Sequence, residues 1–187
     1  MWNSVCFCVT YSTATYVFYF VEFYMNLIPT DSIYSSQNVL SVADLLSVLT
    51  FSLVSKYFPL RWQFISASLG IAVSAYALFY KIKFKTRAFE PGDEVSDYDG
   101  YEYAVILLFL RLYGVTLYGL SNTAISTLTP TLLVGSVYSV INLIARPLAS
   151  VAPIVAELIP NPSILTVALS FASIVTSFRI VDGTHTD

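Results

Sequence analysis

Apolar residues in this chain come in long, nearly unbroken runs, not in the short alternating stretches of a water-soluble sheet protein. A membrane crossing needs roughly 20 mainly apolar residues. Six stretches meet that requirement, at about 4–26, 36–58, 62–80, 103–127, 132–156 and 162–181. Most of the breaks between them carry turn chemistry, as in Pro29-Thr30-Asp31-Ser32, Phe58-Pro59-Leu60-Arg61, Thr129-Pro130-Thr131 and Pro160-Asn161-Pro162, where proline and small polar side chains interrupt helices. Only residues 81–102 are strongly polar, passing from a basic KIKFKTR into an acidic EPGDEVSDYDGYE. The pattern predicts an all-α membrane protein: one domain over 1–187, six transmembrane helices, and a loop at 81–102 in water.

Composition strengthens that reading. The chain is 56% hydrophobic and 11% charged, with a mean hydropathy of +0.70, whereas a soluble domain carries about 25% charged residues. Too few polar groups exist to cover a soluble surface, which leaves membrane lipid as the expected surroundings. A net charge of −3, with no basic cluster beyond 81–87, argues against nucleic acid as a partner. On the two sides of the expected bundle, Lys and Arg number three (Lys56, Arg61, Arg179) and four (Lys81, Lys83, Lys85, Arg87), so the positive-inside rule assigns no orientation.

Candidate chemistry is sparse. Cys6 and Cys8 both fall in the first apolar run with no other cysteine, which excludes a disulfide framework or a four-thiolate zinc site and leaves them as small packing residues. Fitting the acidic run to a calcium loop, with Asp97, Asp99 and Gly100 in register, puts Val95 and Ile106 at the terminal ligand positions, where oxygen is required. A solvated connector fits better. The one histidine, His185, stands in the polar tail, so no Ser-His-Asp or Cys-His arrangement can form among the spans. No glycine-rich phosphate loop or metal-ligand cluster is present, and the expectation is a protein that is not an enzyme and has no cofactor or metal. The N-terminal run carries no basic n-region and reads as a retained membrane helix. Asn161-Pro162-Ser163, its proline forbidding glycosylation, leaves the sequence without an acceptor sequon. Together these favour a mitochondrial inner membrane over a cell surface.

Four ionisable residues fall well inside the expected spans: Glu22, Asp44, Arg111 and Arg146. A lone charge at the bilayer centre costs at least ~2.5–3.5 kcal/mol, so such groups face protein or a water-filled cavity. Two acids and two bases balance here. They are expected either to form intramembrane ion pairs, Arg146 with Glu22 or Asp44, or to mark a substrate or coupling-ion site.

Arg146 sits with Pro147 inside the apolar INLIARPLASVAP of residues 141–153. Arg111 precedes Pro130-Thr131 by 19 residues, Arg146 follows Pro130 by 16, and Ala152-Pro153 ends the pattern 7 further on, leading into AELIPNPS. This spacing over 111–153 resembles the tenth and eleventh helices of major facilitator transporters, in the branch carrying organic cations and anions. The resemblance implies that the chain corresponds to helices seven to twelve of such a transporter, two three-helix inverted repeats forming half of the fold. It also implies that Arg146, where anion-carrying members have an arginine, faces the central cavity together with Arg111 and Asn122. A proline beside it frees a carbonyl that transporters tolerate next to a cavity.

Several positions depart from the family. Thr127 stands where the family has an acid, Val134 where it has an arginine, and SKYFPLR replaces the basic signature between helices eight and nine, keeping charge only at Lys56 and Arg61. The Pro-Glu-Thr-like end of helix twelve gives way to TSFRIVDGT. These losses fall on the residues that resemble the family's cytosolic gate. The expected function is therefore a transport-inactive half-transporter kept as a structural accessory subunit of a larger membrane complex. The rival is a half-size transporter of small organic ions, acting as a dimer or with a separate N-terminal half.

Overall fold

The computed structural model describes residues 2–27, 33–88 and 97–180. They form six helices: α1 (Trp2–Leu27), α2 (Ile33–Tyr57), α3 (Leu60–Ala88), α4 (Asp97–Leu128), α5 (Val134–Leu158) and α6 (Ser163–Ser177). The Pro29–Ser32 turn, the centre of the acidic run and the tail with His185 lie outside the described residues. Helices α1 to α5 are each long and apolar enough to cross a membrane. At 15 residues, α6 is apolar but only about 22 Å long at 1.5 Å per residue.

The polar segment 81–102 is mostly helix rather than one long loop, a correction to the pattern. α3 has 29 residues and α4 has 32, or about 43 and 48 Å, against a hydrocarbon core of ~30 Å. Lys and Arg are good helix formers, so α3 continues through the basic stretch, and an ion pair joins Lys81 to Glu102 across the two helices.

α1 and α4 form the centre. α1 packs on α4, α5 and α6, while α4 packs on α1, α2 and α3, and α3 meets α6. Replacing each helix by the one three places along reproduces this contact pattern, with a minor α2–α3 contact as the exception among the described residues. Burial follows the same division: 61% of the α1 span is buried but only 18% of the α2 span.

The surface is turned inside out relative to a soluble bundle. α6 buries Ser163, Thr166, Ser170, Ser173 and Ser177 and exposes Ile164, Phe171, Val175 and Phe178. In water this would strand apolar area outside. In lipid, which solvates those side chains, small hydroxyl residues are the better interface because they let helix backbones approach and hydrogen-bond across. Ser68 of α3 meets Ser173 at 2.7 Å, and Thr13 of α1 donates to the Leu169 carbonyl at 3.3 Å. Glycine serves the same end at α4: a Cβ on Gly114 would stand 2.8 Å from Val17 Cγ1, and one on Gly70 would stand 2.5 Å from the Tyr113 ring. The long apolar helices and the apolar exterior are consistent with an integral membrane protein.

Candidate functional site

The four intramembrane charges do not share one environment. Arg111 is 4% exposed. Its Nε donates to Asp44 Oδ1 at 2.8 Å and its Nη2 to Asp44 Oδ2 at 3.0 Å, a two-pronged pair between α4 and α2. Nη1 donates to the Phe18 carbonyl of α1 at 2.9 Å, and the guanidinium lies 3.4 Å from the Phe18 ring centroid. A planar fork matches a carboxylate, and here it also ties three helices together. Every nitrogen of this guanidinium is engaged, so Arg111 has little left to offer a ligand.

Arg146 is exposed on α5 and has no ion pair or hydrogen bond among the described residues. The expected pairing with Asp44 or Glu22 is not what the structure contains, and topology gives the reason. Asp44 sits on α2, which packs on α4 and, among the described residues, makes no contact with α5. Glu22 is too far along α1. Bonds from Cys6 to Thr176 and from Thr13 to Leu169 make α1 antiparallel to α6, and a short turn makes α5 antiparallel to α6, so α1 and α5 run the same way. Tyr11 is level with Asn142, which places Arg146 beside Thr15 and Glu22 about 10 Å beyond it. Glu22 is half-buried and unpaired among the described residues.

Arg146 belongs instead to a polar face on α5. Ser139, Asn142, Arg146, Ser150 and Glu157 recur at intervals of three, four or seven residues, and four of them are exposed while Asn142 is half-buried. That spacing keeps them on one side of a helix. A second side, with Ile141, Ala145, Ala149, Ala152 and Ala156, is buried against the bundle, and a third exposes Val140, Leu143, Ile144, Val151 and Ile154. Pro147 and Pro153 lie within α5 and the helix continues through both, with the Ser150 hydroxyl donating to the Pro147 carbonyl at 2.7 Å.

Tyrosines of α1, α4 and α5 extend this face. Tyr11 Oη lies 3.2 Å from Tyr118 Oη and donates to Asn142 Oδ1 at 3.2 Å. Tyr138 Oη donates to Asn122 Oδ1 at 2.9 Å, close to the Asn122 carbonyl at 3.1 Å. Both asparagine oxygens are thus occupied, while their amide N–H groups have no partner among the described residues. Asn122, expected to face a cavity, is brought into this cluster, and Arg111 is not. Ser139 and Ser150 donate within α5, so the donors left open among the described residues are the Arg146 guanidinium and the two asparagine amides, which suit an anionic or acceptor-rich group from a ligand or a neighbouring chain.

The altered gate positions take ordinary roles. Thr127 donates to the Thr123 carbonyl at 2.8 Å, Lys56 lies 5.9 Å from the Tyr57 ring, and Arg61 lies 5.7 Å from the Phe178 ring. Among the described residues no group of three or more His, Cys, Asp and Glu could hold a metal. Sequence reasoning missed Tyr11, Tyr118, Tyr138 and Asn142. The recurrence of polar residues along 139–157 was the available signal for the α5 face, whereas tyrosine, common at membrane boundaries, gave none.

Fold and site together define a helical bundle with the character of an integral membrane protein, carrying a polar face along α5. No family model matches the chain, and no curated protein matches it.

Proposed function

We propose that the chain is a six-crossing half-transporter of the major facilitator type, no longer active in transport, that serves as a membrane-embedded structural subunit of a larger protein complex. The observation that carries this reading is the open polar face of α5. A row of Ser139, Arg146, Ser150 and Glu157 exposed along a span cannot rest against lipid tails without a large desolvation cost, so a neighbouring chain covers it. The three-place symmetry of helix packing suits two inverted repeats, and the uncharged Thr127 and Val134 suit a lost gate. Because the sequence lacks an acceptor sequon, we place the host complex in the mitochondrial inner membrane, which subcellular fractionation would test.

One observation favours the rival reading. Among the described residues Arg146 and the amide N–H groups of Asn122 and Asn142 are unused, as a binding site for an organic anion would require, and a second copy or a separate half could close over the face. Reconstitution separates the two. The purified chain in liposomes should take up neither labelled organic anions nor cations, and in mild detergent it should migrate on native gels only within a large complex. Saturable uptake that is competed by unlabelled substrate and lost in Arg146→Ala would overturn the subunit reading.

A further inference from the structure

Arg146 is the middle residue of α5, twelve positions from both Val134 and Leu158. About 18 Å of helix therefore lies on either side of it, which sets it at the midplane of a hydrocarbon core of ~30 Å. Snorkelling to the headgroups relieves charges near helix ends and does not serve a central one. Among the described residues no acid relieves it either. Glu157, on the same polar face, is eleven residues further along, about 16 Å away, and Glu22 is displaced by about 10 Å. An intact partner helix has spent its backbone carbonyls on its own hydrogen bonds. What it has left to offer a buried cation is a side-chain carboxylate, which supplies the opposite charge and a two-pronged acceptor together. The chain meets the same need internally, where Arg111 takes both oxygens of Asp44 from the neighbouring α2.

We propose, resting on the subunit reading above, that the α5 face docks a transmembrane helix of an unlike chain, and that this helix carries an aspartate or glutamate at mid-span that pairs with Arg146. A second copy of this chain does not fit. Packed α5 on α5 about an axis normal to the membrane, two copies set Arg146 against Arg146, and an inverted copy does the same because the residue is central. Like charges set against each other in an interface repel. A lipid phosphate, held at the headgroup level, is about 15 Å or more from the midplane. The rest of the face suits a helix. Ser139 and Ser150, exposed on either side of Arg146, donate their hydroxyls to the Gly135 and Pro147 carbonyls and present small side chains that let a helix approach closely. The partner's acid belongs within about one turn of the midplane, since a carboxylate displaced further leaves the guanidinium uncompensated in the span.

The test uses the full chain in liposomes of neutral lipid and a defined probe: a lysine-flanked oligoleucine helix with one central aspartate, followed by energy transfer to a dye on the chain. At neutral pH this helix should bind saturably and about 5- to 30-fold more tightly than its all-leucine counterpart, the range of a polar contact between membrane helices. Moving the aspartate two turns towards one end, or making Arg146→Leu in the chain, should abolish the preference. Arg146→Lys, which keeps the charge, should retain it. Equal binding of the two helices, or a preference that survives Arg146→Leu, would overturn the proposal. So would displacement of the acidic helix by benzoate, which assigns the cation to an organic anion. Energy transfer between two labelled copies of the chain that is lost in Arg146→Leu would assign the face to a second copy, and overturn it too. Native gels of the membranes keep the two failures apart. Arg146→Leu should leave the large complex and Arg146→Lys should stay. A complex that retains Arg146→Leu overturns the acidic partner and spares the subunit reading, whereas an unaltered chain that migrates alone overturns the subunit reading and, with it, this inference.

Discussion

Arg111 and Arg146 are the same residue type on successive membrane helices, yet their surroundings are opposite. Around Arg111 the bundle is closed: a carboxylate, a backbone carbonyl and a phenyl ring from two other helices surround the guanidinium. Around Arg146 the bundle is open, with hydroxyl and amide groups arrayed along one side of α5 and no acid paired with it among the described residues. The first arrangement stabilises this chain alone. The second leaves Arg146 open, which is what supports the proposed covering by a neighbouring chain. An intramembrane charge is therefore not one kind of evidence, and what separates a structural clamp from an interface is whether its hydrogen-bonding capacity is used up within the chain.

The comparison can be broken most severely at the clamp. Asp44→Leu leaves a buried guanidinium without its anion and should lower the unfolding free energy, measured by detergent denaturation, by about 3–5 kcal/mol. Arg111→Leu strands the Asp44 carboxylate within the span in the same way and should cost a similar amount. The double substitution should recover most of the loss, because two apolar groups in place of an ion pair are often neutral. A double variant less stable than both single ones would refute the clamp.

Next in size is Gly114→Val, one turn from Arg111. Its side chain would drive against Val17 and lift α4 from the α1 segment that offers the Phe18 carbonyl, at about 1–3 kcal/mol for overpacking. A smaller effect belongs to Ser173→Ala, which removes the Ser68 contact between α3 and α6 and should cost about 0.6 kcal/mol, as interhelical hydrogen bonds in membranes do. Smallest is Arg146→Leu. With no partner among the described residues, its loss should leave the unfolding free energy of the purified chain within about 0.5 kcal/mol. A loss comparable to that of Asp44→Leu would mean that Arg146 is also clamped from within.

Apolar runs made the helices and their approximate ends legible, since a bilayer imposes length and hydrophobicity on each crossing. They said nothing of how far α3 and α4 continue as helix beyond the apolar part, because helix propensity outside the membrane follows different rules. The four charges Glu22, Asp44, Arg111 and Arg146 could be located but not paired. Pairing depends on which helices touch, and the separation of α2 from α5 by the central α1 and α4 is a property of the assembled bundle. The tyrosine hydrogen bonds were illegible for the same reason: each depends on side chains from different helices meeting at one level.

The proposed covering of the α5 polar face is tested most directly by photo-crosslinking in native membranes. A photoreactive residue is placed in turn at Ser139, Arg146 and Ser150 on the polar side and at Leu143, Ile144 and Ile154 on the apolar side. The polar positions should all form adducts with the same protein partner, and the apolar positions should react only with lipid. Lipid adducts alone from both sides, or protein adducts without regard to side, would contradict a face built to be covered.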